Sequence, residues 1–174
     1  MKKVPKQKPG RSKQDVRTPQ DFLDAVRRRL GIQAFAIDLA ADATNTVATR
    51  FYDKAQDSLK QSWVVKGWGW LNPEFGDIRP WVWKAYTEGL KGASTAMLVP
   101  AGVGSNWWRD FTHHKAGVLL LNGRITFVGH EDPYPKDCAL LLYGPNVLRG
   151  YDVWTWPEQK GMGQPGGGLV SRRS

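Results

Sequence analysis

Residues 72–75, Asn-Pro-Glu-Phe, follow the apolar run GWGWL and combine groups with a specific chemical use. Asn-Pro ordinarily marks a turn. The exocyclic amine of adenine or cytosine is a poor nucleophile, because its lone pair is delocalised into the ring. A side-chain oxygen and a backbone carbonyl that accept its two N–H bonds hold that nitrogen toward tetrahedral geometry and free the lone pair to attack a methyl group. Asn72 Oδ1 and the Pro73 carbonyl have this character, and the ring of Phe75 suits stacking on a base turned out of a duplex. Positioning and oriented dipoles do most of such work, without a metal or a strong general base. Taken alone, the same residues also read as a proline turn followed by a core phenylalanine. Glu74 is the odd member, a charge inside a loop whose chemistry calls for none.

A second set of groups comes from QAFAIDLAAD, a short apolar run that ends in Asp38 and Asp42. It reads as a buried strand with carboxylates at its C-terminal end. The elements that must position both sets follow from patterning. TPQDFLDAVRRRLG places Thr18 as a helix cap and Pro19 at the first helical position, with Phe22, Leu23, Val26 and Leu30 on one face and Gly31 as the stop. GWGWLNP is a second buried strand. IRPWVWKAYTEGLKG is a helix opening at Pro80 with Trp81, Val82, Ala85 and Leu90 on one side. STAMLVPA is a third strand, and NWWRDFTHHKA is helical. GVLLLN, RITFVG and CALLLYG read as strands, the first two joined at Asn122-Gly123 as a hairpin over 117–129.

Apolar strands alternating with helices predict an α/β fold, a mostly parallel sheet with an antiparallel hairpin at one edge. In such sheets ligands bind beyond the C-terminal ends of the strands. That rule brings Asp38, Asp42 and the 72–75 loop to one rim.

Composition sets the remaining bounds. The 174 residues suit one domain, and 41% hydrophobic content supports a packed core. A net charge of +9 points to a polyanionic partner, most often nucleic acid, and nine tryptophans offer core mass or stacking platforms. The single cysteine, Cys138, forms no internal disulfide and reads as a buried apolar side chain in a reducing compartment. No apolar run approaches the ~18 residues of a membrane span. MKKVPKQKPGRSK has no apolar segment after its charges, so it is not a secretory signal and a cytoplasmic location is expected. Residues 1–17 read as a disordered basic arm, 18–156 as the folded domain, and 157–174 as a flexible Gly-rich basic tail. His113, His114 and His130 lack ligand spacing, so no metal site is expected. Arg109, His113, His114, Lys115 and Arg124, with the arm, are candidates for a DNA-facing basic surface.

The ordered set TPQDFLDAV, FAIDLAADATN, DSLKQSW, the 72–75 loop, IRPWVWKA, AMLVPAGVGSNWW and GRITFVG resembles the phage-encoded Dam family of DNA N6-adenine methyltransferases, from about residue 18 to 144. The resemblance implies a class I (Rossmann-like) methyltransferase fold that uses S-adenosylmethionine. It implies that Thr18 and Pro19 lie near the methionine end of the cofactor. It sets Asp38, Ala40, Ala41 and Asp42 beneath the cofactor, Asp57 at its adenosine end, and Asn72, Pro73, Glu74 and Phe75 at the target adenine. A phage origin would imply protection of phage DNA from host restriction. Two features depart from the family pattern. Glu74 stands where the family loop has a second proline, and AIDLAAD lacks a Gly-x-Gly turn. A non-catalytic DNA-binding protein on the same fold, and transfer to cytosine N4 or to RNA, remain alternatives to adenine methylation. About 30 residues separate the cofactor strand from the loop, too few for a large recognition domain, so a short or relaxed recognition sequence is expected. Residues 102–116 and 130–138 are expected to supply it, with the arm. The sequence leaves monomer and dimer open.

Overall fold

The computed structural model describes residues 17–157. The expected basic arm and Gly-rich tail lie outside them, apart from their inner residues Arg17 and Pro157. The chain forms a mixed α/β structure around one six-stranded sheet. Its elements are α1 (Gln20–Leu30), β1 (Ile37–Asp38), β2 (Trp68–Leu71), α2 (Arg79–Leu90), β3 (Ser94–Pro100), α3 (Asn106–Phe111), β4 (Gly117–Asn122), β5 (Cys138–Tyr143) and β6 (Gly150–Thr155).

The strand order is β1-β2-β3-β5-β4-β6. β1, β2 and β3 pair in parallel, β5 runs antiparallel between β3 and β4, and β6 pairs in parallel with β4. The sheet is mostly parallel, as the patterning predicts, but the predicted edge hairpin over 117–129 is absent. The antiparallel strand is β5, and it sits inside the sheet. RITFVG forms no strand, because both edges of β4 are taken, one by β5 and the other by β6. Residues 123–137 instead cross the end of the sheet as a strap. The amide of Val128 donates to the Arg17 carbonyl at 3.0 Å, and that of Tyr134 to the Ile125 carbonyl at 2.8 Å.

Side chains alternate across the sheet, so each strand feeds two cores. α1 covers one face, with Phe22, Leu23, Val26 and Leu30 packed on Trp70, Leu98, Leu140 and Leu142. α2 and α3 cover the other, with Val82, Ala85 and Trp108 against Leu71, Met97, Val99 and Leu141. The helix predicted to start at Pro19 with Thr18 as its cap starts one residue later, at Gln20 with Pro19 as its cap, and ends on left-handed Gly31 as predicted. In α2 the predicted apolar side is revised. Val82 and Ala85 are buried, Leu90 is exposed, and the charged pair Lys84 and Glu88 is buried instead. Cys138 is buried, and burial pushes its thiol up to about 12.

Candidate active site

The rim is set by strand direction. β1, β2 and β3 end at Asp38, Leu71 and Pro100 on the same side, so the loops that follow them share one edge of the sheet. Asp38 is paired with Trp70, two residues before Asn72. Asp38 and Asn72, the key residues of the two predicted sets, line one open cleft together with Arg17, Thr18, Ala40, Asn45, Val47 and Trp70.

Asp38 is buried, 3% exposed. Its carboxylate accepts the backbone N–H of Val47 at 3.0 Å and of Ala40 at 3.3 Å, which folds the following loop back over the strand end. Burial pushes its pKa up to about 6, while those two N–H groups favour the ionised form and offset part of the rise. The folded protein therefore holds a proton that the unfolded chain releases from pH 3.8 upward. The stability tied to this proton is full below that value and is lost as pH rises through about 6, a change of about 3 kcal/mol by neutrality. Urea unfolding at a series of pH values should show this decline between roughly pH 4 and 7. The Asp38→Asn protein, which has no group to titrate there, should lack it.

Asn72 is held through its side chain, whose Nδ2 donates to Thr18 Oγ1 at 3.1 Å. Pro73 is buried behind it and Glu74 is exposed. The ring of Phe75 is half-buried, with its centroid 5.5 Å from Tyr134 and 6.1 Å from Phe127, both at steep angles. Tyr134 and Phe127 are 5.8 Å apart, so three rings close into one cluster that latches the strap onto the 72–75 loop.

The other predicted residues are dispersed. Ala41 donates to the Tyr52 carbonyl beside the cleft. Asp42 is exposed and closes its own turn by accepting from Thr44 and Asn45, contacts that hold its carboxyl below the ordinary range. Asp57 pairs with Lys60 at 2.8 Å in a short 3-10 turn packed on α2, and it does not line the cleft. Arg124 follows the end of β4, on the cleft's edge of the sheet, 3.9 Å from Asp137. His113, His114 and Lys115 precede β4, whose start lies at the opposite edge because β4 runs parallel to β3. His113 Nδ1 meets the Tyr151 hydroxyl at 2.8 Å there. Arg109 is exposed on α3 and bonds Asp110 at 2.8 Å. Trp108 is buried, and Trp107 is half-buried beside it. Among the described residues no group of His, Cys, Asp and Glu could hold a metal ion.

Sequence reasoning missed Arg17, Asn45, Val47 and Trp70 in the cleft wall, and Phe127 and Tyr134 around Phe75. The alternation of Ile125 and Phe127, both buried, was visible but was read as a strand.

The buried carboxylate and the held amide thus share the rim beyond the carboxyl ends of parallel strands, the place where open α/β sheets bind ligands. A sequence model of the family described as DNA N-6-adenine-methyltransferase (Dam) matches residues 6–139, and the chain belongs to that family. It is 26% identical over 135 residues to a DNA N-6-adenine-methyltransferase of Escherichia phage T1, an alignment that covers 78% of this chain and 56% of the relative. It is 27% identical over 123 residues to a protein of the same description from Haemophilus phage HP1 (strain HP1c1), covering 67% of this chain and 70% of that one. The chain thus spans little more than half the length of the first relative. No solved structure matches it. Among the described residues no helix is long and apolar enough to cross a membrane.

Proposed function

We propose that the protein transfers a methyl group from S-adenosylmethionine to N6 of adenine in DNA, on a class I methyltransferase fold. One observation carries the reading: Asn72, at the end of β2, and Asp38, at the end of β1, line the same cleft. The family and the two phage relatives support the choice of adenine in DNA over cytosine or RNA. The activity would be exercised in the cytoplasm of an infected bacterium.

The cleft's donor set fits the cofactor. Asp38 offers a carboxylate to an ammonium or to ribose hydroxyls, and Arg17 offers a guanidinium to a carboxylate. Thr18 and Asn45 add neutral polar groups. Ala40, with Ala41 and Asp42 behind it, leaves room for close approach, and Pro19 starts the helix alongside. Asp57 takes no part in this set. When bound, S-adenosylmethionine supplies a methyl group on a positively charged sulfur. Asn72 Oδ1 and the Pro73 carbonyl accept the two N–H bonds of the adenine amine and turn its lone pair toward that methyl. The amine that accepted the methyl would give up one proton to water. These oriented acceptors and the geometry they impose supply the rate gain. Arg17 and Arg124 lie on the DNA side of this arrangement, whereas His113, His114 and Lys115 face away from it.

Glu74 replaces a residue that would fix the loop backbone. The cluster of Phe75, Phe127 and Tyr134 constrains the same loop by packing. Glu74→Pro is therefore expected to change the methylation rate by less than about threefold. Tyr134→Ala, which removes two ring contacts, is expected to lower it about tenfold. Rates measured side by side on one DNA decide which constraint the loop depends on.

The test of the reading is transfer of label from S-adenosylmethionine to unmethylated duplex DNA, followed by nucleoside analysis. Label in N6-methyladenine is the expected result. Label in N4-methylcytosine, or tight DNA binding with no transfer, overturns it.

A further inference from the structure

We propose that Asp38 is the seat of a ligand cation, the ammonium group at the amino-acid end of the cofactor. The proposal rests on the methyl-transfer reading above and deepens it, since that reading gives this carboxylate to an ammonium or to ribose hydroxyls alike. Asp38 ends β1 and is 3% exposed, yet it lines the open cleft. Each carboxylate oxygen accepts one backbone N–H, Oδ1 that of Ala40 at 3.3 Å and Oδ2 that of Val47 at 3.0 Å. An ionised carboxylate can accept about four hydrogen bonds, so about half of its capacity is left for a group in the cleft.

The chain gives this buried acid no countercharge. The segments packed around it bring three charged groups, Arg17 before α1, and Asp42 and Arg50 in the stretch that folds over the strand end, while β2 alongside carries none. Arg50 and Arg17 are exposed, and among the described residues neither forms an ion pair with Asp38. Contacts from Thr44 and Asn45 hold the Asp42 carboxyl down, and the Arg17 charge adds to them there rather than at Asp38. Buried charges are ordinarily paired. A ligand ammonium completes the set around Asp38, whereas neutral ribose hydroxyls would leave its charge uncompensated. Arg17 lines the same cleft, so groups of opposite charge flank it and match the ammonium and carboxylate of an amino acid. Asn72 lines it too, which sets that end of the cofactor, with its methyl-bearing sulfur, beside the target loop. Burial holds the Asp38 carboxyl up at about 6, and only the Val47 and Ala40 N–H groups work against it. An adjacent ammonium favours the ionised form, so seating it displaces a proton wherever the free carboxyl still carries one.

The test is calorimetric titration of the full chain, without DNA, with S-adenosylhomocysteine and with its deaminated analogue, which has hydrogen in place of the ammonium. The wild type is expected to bind the first roughly ten- to a hundredfold more tightly than the second. Asp38→Asn should lose that margin and bind the two within about threefold of each other. A second readout needs no variant and decides the matter where Asp38→Asn does not fold. The wild-type Kd for S-adenosylhomocysteine should be level above about pH 7 and rise roughly tenfold per unit of pH below about 6, where binding releases a proton to the buffer. The deaminated analogue should show neither effect. No margin in the wild type, a margin that survives in Asp38→Asn, or the same pH dependence for both ligands overturns the proposal. Methyl transfer to DNA is assayed on the same protein. A chain that methylates DNA but binds both ligands alike overturns the seat alone. One that discriminates as expected and methylates nothing overturns the methyl-transfer reading alone, and one that binds neither ligand overturns both.

Discussion

Asn72→Ala is expected to lower kcat for DNA methylation by on the order of 10²–10³, with KM for DNA nearly unchanged. The alanine removes the side-chain acceptor and leaves the Pro73 carbonyl alone to hold the amine, so the nitrogen keeps one of its two restraints. The loop itself should survive, because Pro73 stays buried and Phe75 remains packed against Phe127 and Tyr134. Asn72→Asp separates the acceptor from the amide. Its oxygens still accept from the amine, and the Thr18 hydroxyl can donate to it instead of accepting. That variant is expected to retain more activity than alanine, falling roughly tenfold from wild type. Initial rates with labelled cofactor, at saturating and at low DNA, give the comparison. An alanine variant with wild-type kcat would remove Asn72 from the chemistry altogether.

Glu88→Ala is expected to destabilise the protein by about 3–5 kcal/mol, because it strips one partner from a buried ionic cluster. Glu88 Oε2 accepts the Trp63 backbone N–H at 2.9 Å, and Oε1 accepts Lys84 Nζ and Lys91 Nζ, each at 2.9 Å. Glu88 is 1% exposed, and Lys84 is nearly as deep, with its ammonium 5.8 Å over the Trp63 ring. Removing the carboxylate strands both a buried ammonium and a buried amide. Lys91, at 64% side-chain exposure, stays hydrated and adds little. Burial pushes the Glu88 pKa up, but the Trp63 N–H and the two ammonium groups outweigh it and hold it at about 2. The stability this carboxylate contributes is therefore complete above its ordinary pKa of 4.5 and is lost as pH falls toward about 2. Urea unfolding at neutral pH should show the full loss in Glu88→Ala and a smaller one in Glu88→Gln, which still accepts from Trp63. In Glu88→Gln the acid limb should also flatten. The same contacts pin residues 58–63 onto α2, since Trp63 Nε1 reaches back to the Ser58 carbonyl at 2.9 Å. The variant should thus loosen the long β1–β2 crossover that carries Asn45 and Val47 to the cleft.

The local parts of this fold were legible because their signals are local. Phe22, Leu23, Val26 and Leu30 at helical spacing, closed by Gly31, gave α1 almost to the residue. The rim rule gathers Asp38 and Asn72 from strand order alone. What escaped is what depends on distant partners. Nothing in CALLLY says that it inserts between β3 and β4, and nothing in RITFVG says that both edges of β4 are already taken. β6 was not read as a strand because Tyr151, Asp152 and Val153 are all exposed, and only Trp154 anchors it in the core. Nothing in the helix pattern marks Glu88 as buried, since its burial follows from Trp63 and Lys84 arriving together. Thr18 looked like a helix cap or cofactor contact, and only the fold sets its hydroxyl against Asn72.

The direction of β6 has one more consequence. Because it runs with β4, it ends at the same edge of the sheet as the cleft, where Trp156 Nε1 donates to the Gly123 carbonyl at 2.6 Å. Arg17 lies in the cleft wall itself. Both terminal segments therefore leave the folded body beside the site, one with Lys2, Lys3, Lys6, Lys8, Arg11 and Lys13, the other with Lys160, Arg172 and Arg173. Attachment at this edge puts a run of cationic sequence on either side of the place where a polyanion would bind. The affinity for DNA is therefore expected to fall steeply with salt.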